Sequence, residues 1–120
     1  MKIAIPAAGK DLSSAVDPRF GRAKYFLLVD TETGAAEAHD NAQNLNAAQG
    51  AGIQSAETVS RLGAQAVLSG NVGPKAFRTL QAADIKIYAC GAMSAAEAVR
   101  KFKNAELKEF TAANVDGHWA

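Results

Sequence analysis

The sequence predicts an α/β domain: a mixed five-stranded sheet in the order 3-2-1-4-5, with helices on both faces. Three observations carry this. Short apolar runs recur at residues 3–5, 25–30, 66–68 and 85–89. In the second half they alternate with segments of helical period, the pattern of strands buried under crossover helices. Both strand-to-helix passages there carry glycine: Gly70-Asn71-Val72-Gly73 before Pro74, and Cys90-Gly91-Ala92-Met93 before Ser94.

Ile3, Ala4 and Ile5 read as a buried first strand that Pro6 ends. Residues 11–22 (DLSSAVDPRFGR) show no period and read as a loop with Phe20 as its one aromatic anchor. YFLLVD at 25–30 is the strongest strand signal. Gly34 suits a positive-φ turn, and residues 35–40, rich in alanine with Glu37, His39 and Asp40, return as a solvated edge strand. Residues 41–52 read as a polar, mobile loop. Ile53, Ala56, Val59 and Leu62 then recur at helical spacing, with Gly63 at the left-handed cap.

Residues 66–68 form the fourth strand, and Pro74 sits where a helix begins. Ala76, Phe77, Leu80 and Ala83 mark the inner face of that helix, and Asp84 stands where a helix often ends in glycine. Residues 85–89 are the fifth strand. Ser94 and Glu97 have capping-box spacing at the start of a third helix with Ala95, Val99 and Phe102 inward. The order is β-β-β-α-β-α-β-α, and right-handed crossovers place strands four and five beside strand one. We read residues 1–110 as one domain and 111–120 as a tail.

Thirteen basic against twelve acidic residues leave a formal charge of +1, so no global field favours nucleic acid or an anionic membrane. A single cysteine forms no internal disulfide, and the opening apolar stretch, broken by Pro6, is too short for a signal peptide or a membrane span. The expected location is the cytoplasm.

In an open α/β sheet ligands dock at the carboxyl edge, where helix N-termini present main-chain donors to anions. The helix starts at Gly73 and Ser94, with that near Gly50, could therefore converge on one anion; glycines also simply make tight turns. Gly73-Pro74-Lys75 lacks the ending of a phosphate loop, and Gly50-Ala51-Gly52 follows no strand as a dinucleotide fingerprint does. Cys90 is either a soft metal donor or a small buried hydrophobe. His39 and His118 lie far apart without ligand spacing. Arg19, Arg22 and Lys24 form a positive cluster that either clamps an anion or is simply solvated. No nucleophile has a histidine and carboxylate at recognisable spacing, and the first strand holds no magnesium-binding carboxylate. No enzyme is expected.

MKIAIPAAG, DPRFGRAKYFLLVD, QGAGI, AVLSGNVGPKAF and IKIYACG followed by a capped helix together resemble the dinitrogenase iron-molybdenum cofactor biosynthesis family, the NifX-like and NafY-like proteins also fused to the NifB C-terminus. The resemblance spans Met1 to about Phe110. It implies a ribonuclease-H-like fold without nuclease carboxylates, and non-catalytic binding, storage or transfer of a preformed metal-sulfur cluster. The chain is also similar to the orange-protein branch from sulfate reducers, which implies a molybdenum-copper sulfide cluster held without covalent attachment, as an alternative to an iron-molybdenum type. The family's glycine loop falls on Gly50 to Gly52, its Val-Gly-Pro turn on Val72 to Pro74, and its arginine motif on Arg19 to Arg22.

The expected site comprises Gly50, Ala51, Gly52, Ile53, Gly70, Asn71, Val72, Gly73, Gly91, Met93, Ser94, Arg19 and Arg22, with Cys90 and His39 as candidate metal ligands. The ligand histidine of some carriers has no secure counterpart, since His39 precedes the glycine loop and His118 lies in the tail. Expected partners are the cluster itself and donor or acceptor proteins. The rival readings are an interaction module working with a partner ATPase and a small nucleotide-binding protein.

Overall fold

The computed structural model describes residues 1–41 and 51–113. Its strands are β1 (Lys2–Ala7), β2 (Tyr25–Asp30), β3 (Ala36–Asp40), β4 (Ala66–Ser69), β5 (Lys86–Ala89) and β6 (Lys108–Glu109). The helices are α1 (Ala51–Arg61), α2 (Pro74–Ala82) and α3 (Ala95–Lys103), with a 3-10 turn at Phe20–Arg22. The sheet order is β3-β2-β1-β4-β5-β6. The expected order 3-2-1-4-5 is therefore present, with one correction: the sheet has six strands. β6 is two exposed residues set antiparallel to β5, with Tyr88 opposite Glu109 and Ala89 opposite Lys108, and two residues cannot display a period.

Alternation along the strands makes two cores. Ala4, Phe26, Leu28, Val67 and Ile87 face α1 and α2, whose Ala56, Val59, Ala76, Phe77 and Leu80 complete that core. Ile3, Ile5, Leu27, Val29 and Leu68 face α3 through Ala95 and Ala98. Phe102 of α3 meets Tyr88 edge-on, ring centroids 5.0 Å apart. Helices thus cover both faces, two against one.

β1 runs through Pro6 to Ala7 instead of stopping at the proline. Its registered partners on β4 are Ala66 for Ile3 and Val67 for Ala4, so a missing N–H at position 6 interrupts no pair on that side. Gly34 and Gly63 take the expected positive φ, 79° and 86°, and Asp84 takes 61°. Ala105, at 57°, had no such signal. α1 begins at Ala51, two residues before Ile53, and Gly50 lies outside the described residues. So does His118, with most of the expected tail; Phe110 and Ala113 pack against the first core.

Candidate site at the carboxyl edge of β4 and β5

β4 is parallel to both β1 and β5, so α1 and α2, which lead into and out of it, both begin at its carboxyl edge and on the same face of the sheet. Between them lies the turn from Gly70 to Gly73. Gly73 caps α2 in extended backbone (φ −78°, ψ 170°) and supplies no side-chain cap, and Pro74 follows. The first-turn N–H groups of a helix have no intrahelical acceptor, so two helix starts on one face make this edge electropositive without a charged side chain.

Residues 11–22 form a strap across that edge, sewn to three loops by main-chain bonds. Ala8 N–H donates to the Ala15 carbonyl (3.0 Å) and Asp17 N–H to that of Pro6 (2.8 Å), at the end of β1. Phe20 N–H donates to Asn71 (3.2 Å), beyond β4, and Val16 N–H to Met93 (2.9 Å), beyond β5. Phe20 is fully buried and tilts against Phe26 at 5.3 Å, fixing one end. At the other end the Ser13 hydroxyl and N–H, with help from Ser14, hold the Asp11 carboxyl below the usual carboxylate range.

The strap changes the expected site at Ser94. Ser94 does cap α3, its Oγ accepting Glu97 N–H at 3.2 Å. However, the Ala95 and Ala96 N–H groups donate to the carbonyls of Ser14 and Leu12, both at 2.9 Å. The first-turn donors of α3 are thus engaged inside the fold and are not open to a ligand.

Beyond the Gly70-Asn71 turn, on the α3 side, lies a pocket of about 310 Å³ lined by Val16, Pro18, Gly70, Asn71, Cys90, Gly91 and Ala92. Val16 and Pro18 are not among the residues expected from the sequence, since an apolar residue and a proline within an aperiodic loop carry too little signal; Ala92 lies in the expected turn from Cys90 to Met93. Cys90 is buried, and burial pushes its thiol up to about 11, so it is a neutral apolar lining at physiological pH. Gly91 stands open, with nothing within 4 Å of where a Cβ would project.

The other expected residues divide. Arg19 bridges to Asn71 in parallel pairing, its N–H donating to Asp17 Oδ1 at 2.8 Å and its Nε 4.0 Å from the same oxygen. Arg22 lies in the 3-10 turn, which packs on α1: Ser55 Oγ approaches the Gly21 carbonyl at 3.5 Å, and Asn41 Nδ2 donates to Ala23 at 2.9 Å. Ala51 and Gly52 are buried in the first turn of α1 and Ile53 is half-buried. His39 does not join them. It sits on β3, the outer strand, paired to Glu37 at 3.3 Å, with β2 and β1 between it and β4. Among the described residues, no three His, Cys, Asp or Glu side chains come together as a metal cage, and no helix is long and apolar enough to cross a membrane.

The family model described as dinitrogenase iron-molybdenum cofactor matches residues 1–105. The apo form of the orange protein from Desulfovibrio gigas is similar at a TM-score of 0.93 and 41% identity, over 95% of this chain and 96% of that one. A candidate NifB protein from Thermotoga, of the DUF35 family, gives 0.84 and 38% over 97% and 98%. An uncharacterized protein of Methanocaldococcus jannaschii is 31% identical over 112 residues, 92% of each chain.

Proposed function

Because this chain belongs to the dinitrogenase iron-molybdenum cofactor family, we propose that it binds and carries a preformed anionic metal-sulfur cluster, of molybdenum-copper sulfide or iron-molybdenum type, without catalysing a reaction. The observation that carries this reading is the pair of helix starts, α1 and α2, on one face of the carboxyl edge of β4, beside an apolar pocket floored by a neutral thiol. A sulfide-coated anion asks for hydrogen-bond donors and apolar contact more than for a ring of side-chain ligands. Main-chain donors at Gly52, Ile53, Gly73 and Ala76 would grip it, Arg19 and Arg22 would add positive charge, and Val16 and Ala92 would supply contact. The likeness to the orange protein, 41% identical, favours the molybdenum-copper type. Donor and acceptor proteins for the cluster belong to the same reading.

The test is reconstitution of the folded protein with tetrathiomolybdate and copper, or with an iron-molybdenum cluster, followed by desalting, visible spectra and metal analysis. Retained colour with amide shifts at Gly52, Gly73 and Ala76 supports the proposal. Colourless, metal-free protein after each reconstitution points instead to an interaction module. Gly73→Val refines the location: the φ of −78° suits any residue, so a folded variant with undiminished retention moves the guest away from α2.

A further inference from the structure

Ser69 is the last residue of β4, fully buried, and its Oγ has no hydrogen-bond partner among the described residues. Its main chain is used normally, the carbonyl accepting Cys90 N–H at 3.0 Å. The side chain's direction follows from the pleat. Ala66 and Leu68 belong to the core under α3, and Val67 to the core under α1 and α2, so Ser69 continues the face of Val67. The cross-strand register agrees: Val67 stands opposite Ile87, which lies in that same core, and Ser69 opposite Ala89, two residues on. The hydroxyl therefore lies on the face where α1 and α2 begin, four residues before Gly73, which caps α2 without a side-chain bond.

A buried hydroxyl without an acceptor destabilises a fold relative to alanine, which would fill the same place at the end of this apolar strand. The other residues of β4 are Ala66, Val67 and Leu68, so the serine is the only polar side chain in the strand. We infer that Ser69 is a donor to the anionic guest, its Oγ–H completing the set of main-chain donors at the starts of α1 and α2 and positioning the guest over the end of β4. This rests on the cluster-binding reading above and adds to it a side chain whose hydrogen bond forms only with the guest. A hydrogen bond to a charged acceptor is stronger than a neutral one, so its loss is measurable as affinity.

The experiment compares wild type and Ser69→Ala in two measurements: urea unfolding of the guest-free protein, and retention of tetrathiomolybdate with copper by equilibrium dialysis with visible spectra. The expected result is unchanged or raised stability without the guest, together with about tenfold or greater loss of affinity in Ser69→Ala. Equal affinity in the two proteins overturns the inference and leaves the cluster-binding reading standing. Lowered stability of guest-free Ser69→Ala also overturns it, since the hydroxyl would then be satisfied before any guest arrives. If wild type itself retains nothing, the underlying reading fails and the inference falls with it. Ser69→Thr, which keeps the hydroxyl, serves as the second variant: when folded, it holds the guest more tightly than Ser69→Ala if the donor is the hydroxyl, and no better if it is not.

Discussion

Pro18 lies across Gly70, so that a Cβ built on the glycine would stand 3.2 Å from Pro18 Cα and 3.3 Å from its carbonyl oxygen. Both atoms are backbone and cannot swing aside, so Gly70 is where the strap and the end of β4 close on each other. Gly70→Ala should displace the strap and destabilise the fold by about 1 kcal/mol. Overpacking alone costs about 1–3 kcal/mol, and reduced freedom of the unfolded chain offsets about 0.4–1 of it. A urea midpoint equal to or above wild type would show that the strap yields at no cost.

Cys90 makes stability depend on alkaline pH. Its thiol titrates at about 11 in the fold, against about 9 for an unshifted thiol, because burial disfavours the thiolate. The folded state then holds the proton more tightly than the unfolded state does. The contribution is complete below pH 9 and is lost as pH rises from about 9 to about 11. Relative to Cys90→Ala, wild type should lose on the order of 2 kcal/mol across that window. Parallel stability curves for the two proteins between pH 8 and 11 would contradict the assignment.

The cap on α3 is separable from the strap that also feeds it. Ser94→Ala removes the acceptor of Glu97 N–H and should cost about 1 kcal/mol, while Ala95 and Ala96 keep their acceptors in Ser14 and Leu12. Near-ultraviolet circular dichroism should stay native while the thermal midpoint falls. Loss of the native spectrum would mean that the serine holds the strap as well.

Which features the sequence disclosed follows from how local their causes are. β4 and α2 were legible because an uncharged run, two glycines and a proline at the first helical position each act within a few residues. Gly63 and Ser94 are likewise local caps. β6 was not, since Lys108 and Glu109 are exposed and become a strand only by pairing with Ala89 and Tyr88. The strap was not, because its anchors are the main-chain carbonyls of Pro6, Asn71 and Met93 and the N–H of Ala8, groups that do not depend on the side chain. The engagement of α3's donors by Leu12 and Ser14 was hidden for the same reason. A serine closing an apolar strand was in plain view, but its lack of an acceptor emerges only from the packing.

Among the described residues, two other than glycine hold left-handed backbone, and they should respond unequally to glycine. Ala105 (φ 57°) has no side-chain group to favour that region, whereas aspartate, at Asp84 (φ 61°), tolerates it. Ala105→Gly should stabilise the fold by about 0.5–1 kcal/mol after the entropy of the more flexible unfolded chain is counted, and Asp84→Gly by less. The order of the two thermal midpoints is the check, and Asp84→Gly coming out higher would reverse the argument.

His39 and Cys90 separate a guest held by main-chain donors from one ligated by side chains. His39 is two strands removed from β4 and engaged with Glu37, and Cys90 holds its proton at neutral pH. A ligand to a soft metal must be thiolate or neutral imidazole with its nitrogen directed at the metal. Neither residue meets that condition as it stands. The double variant His39→Ala, Cys90→Ser should therefore keep at least half of the wild-type metal after reconstitution and desalting, with visible bands unshifted. A metal-free double variant that remains folded would return direct ligation to the site, and the single variants would then show which of the two residues supplies it.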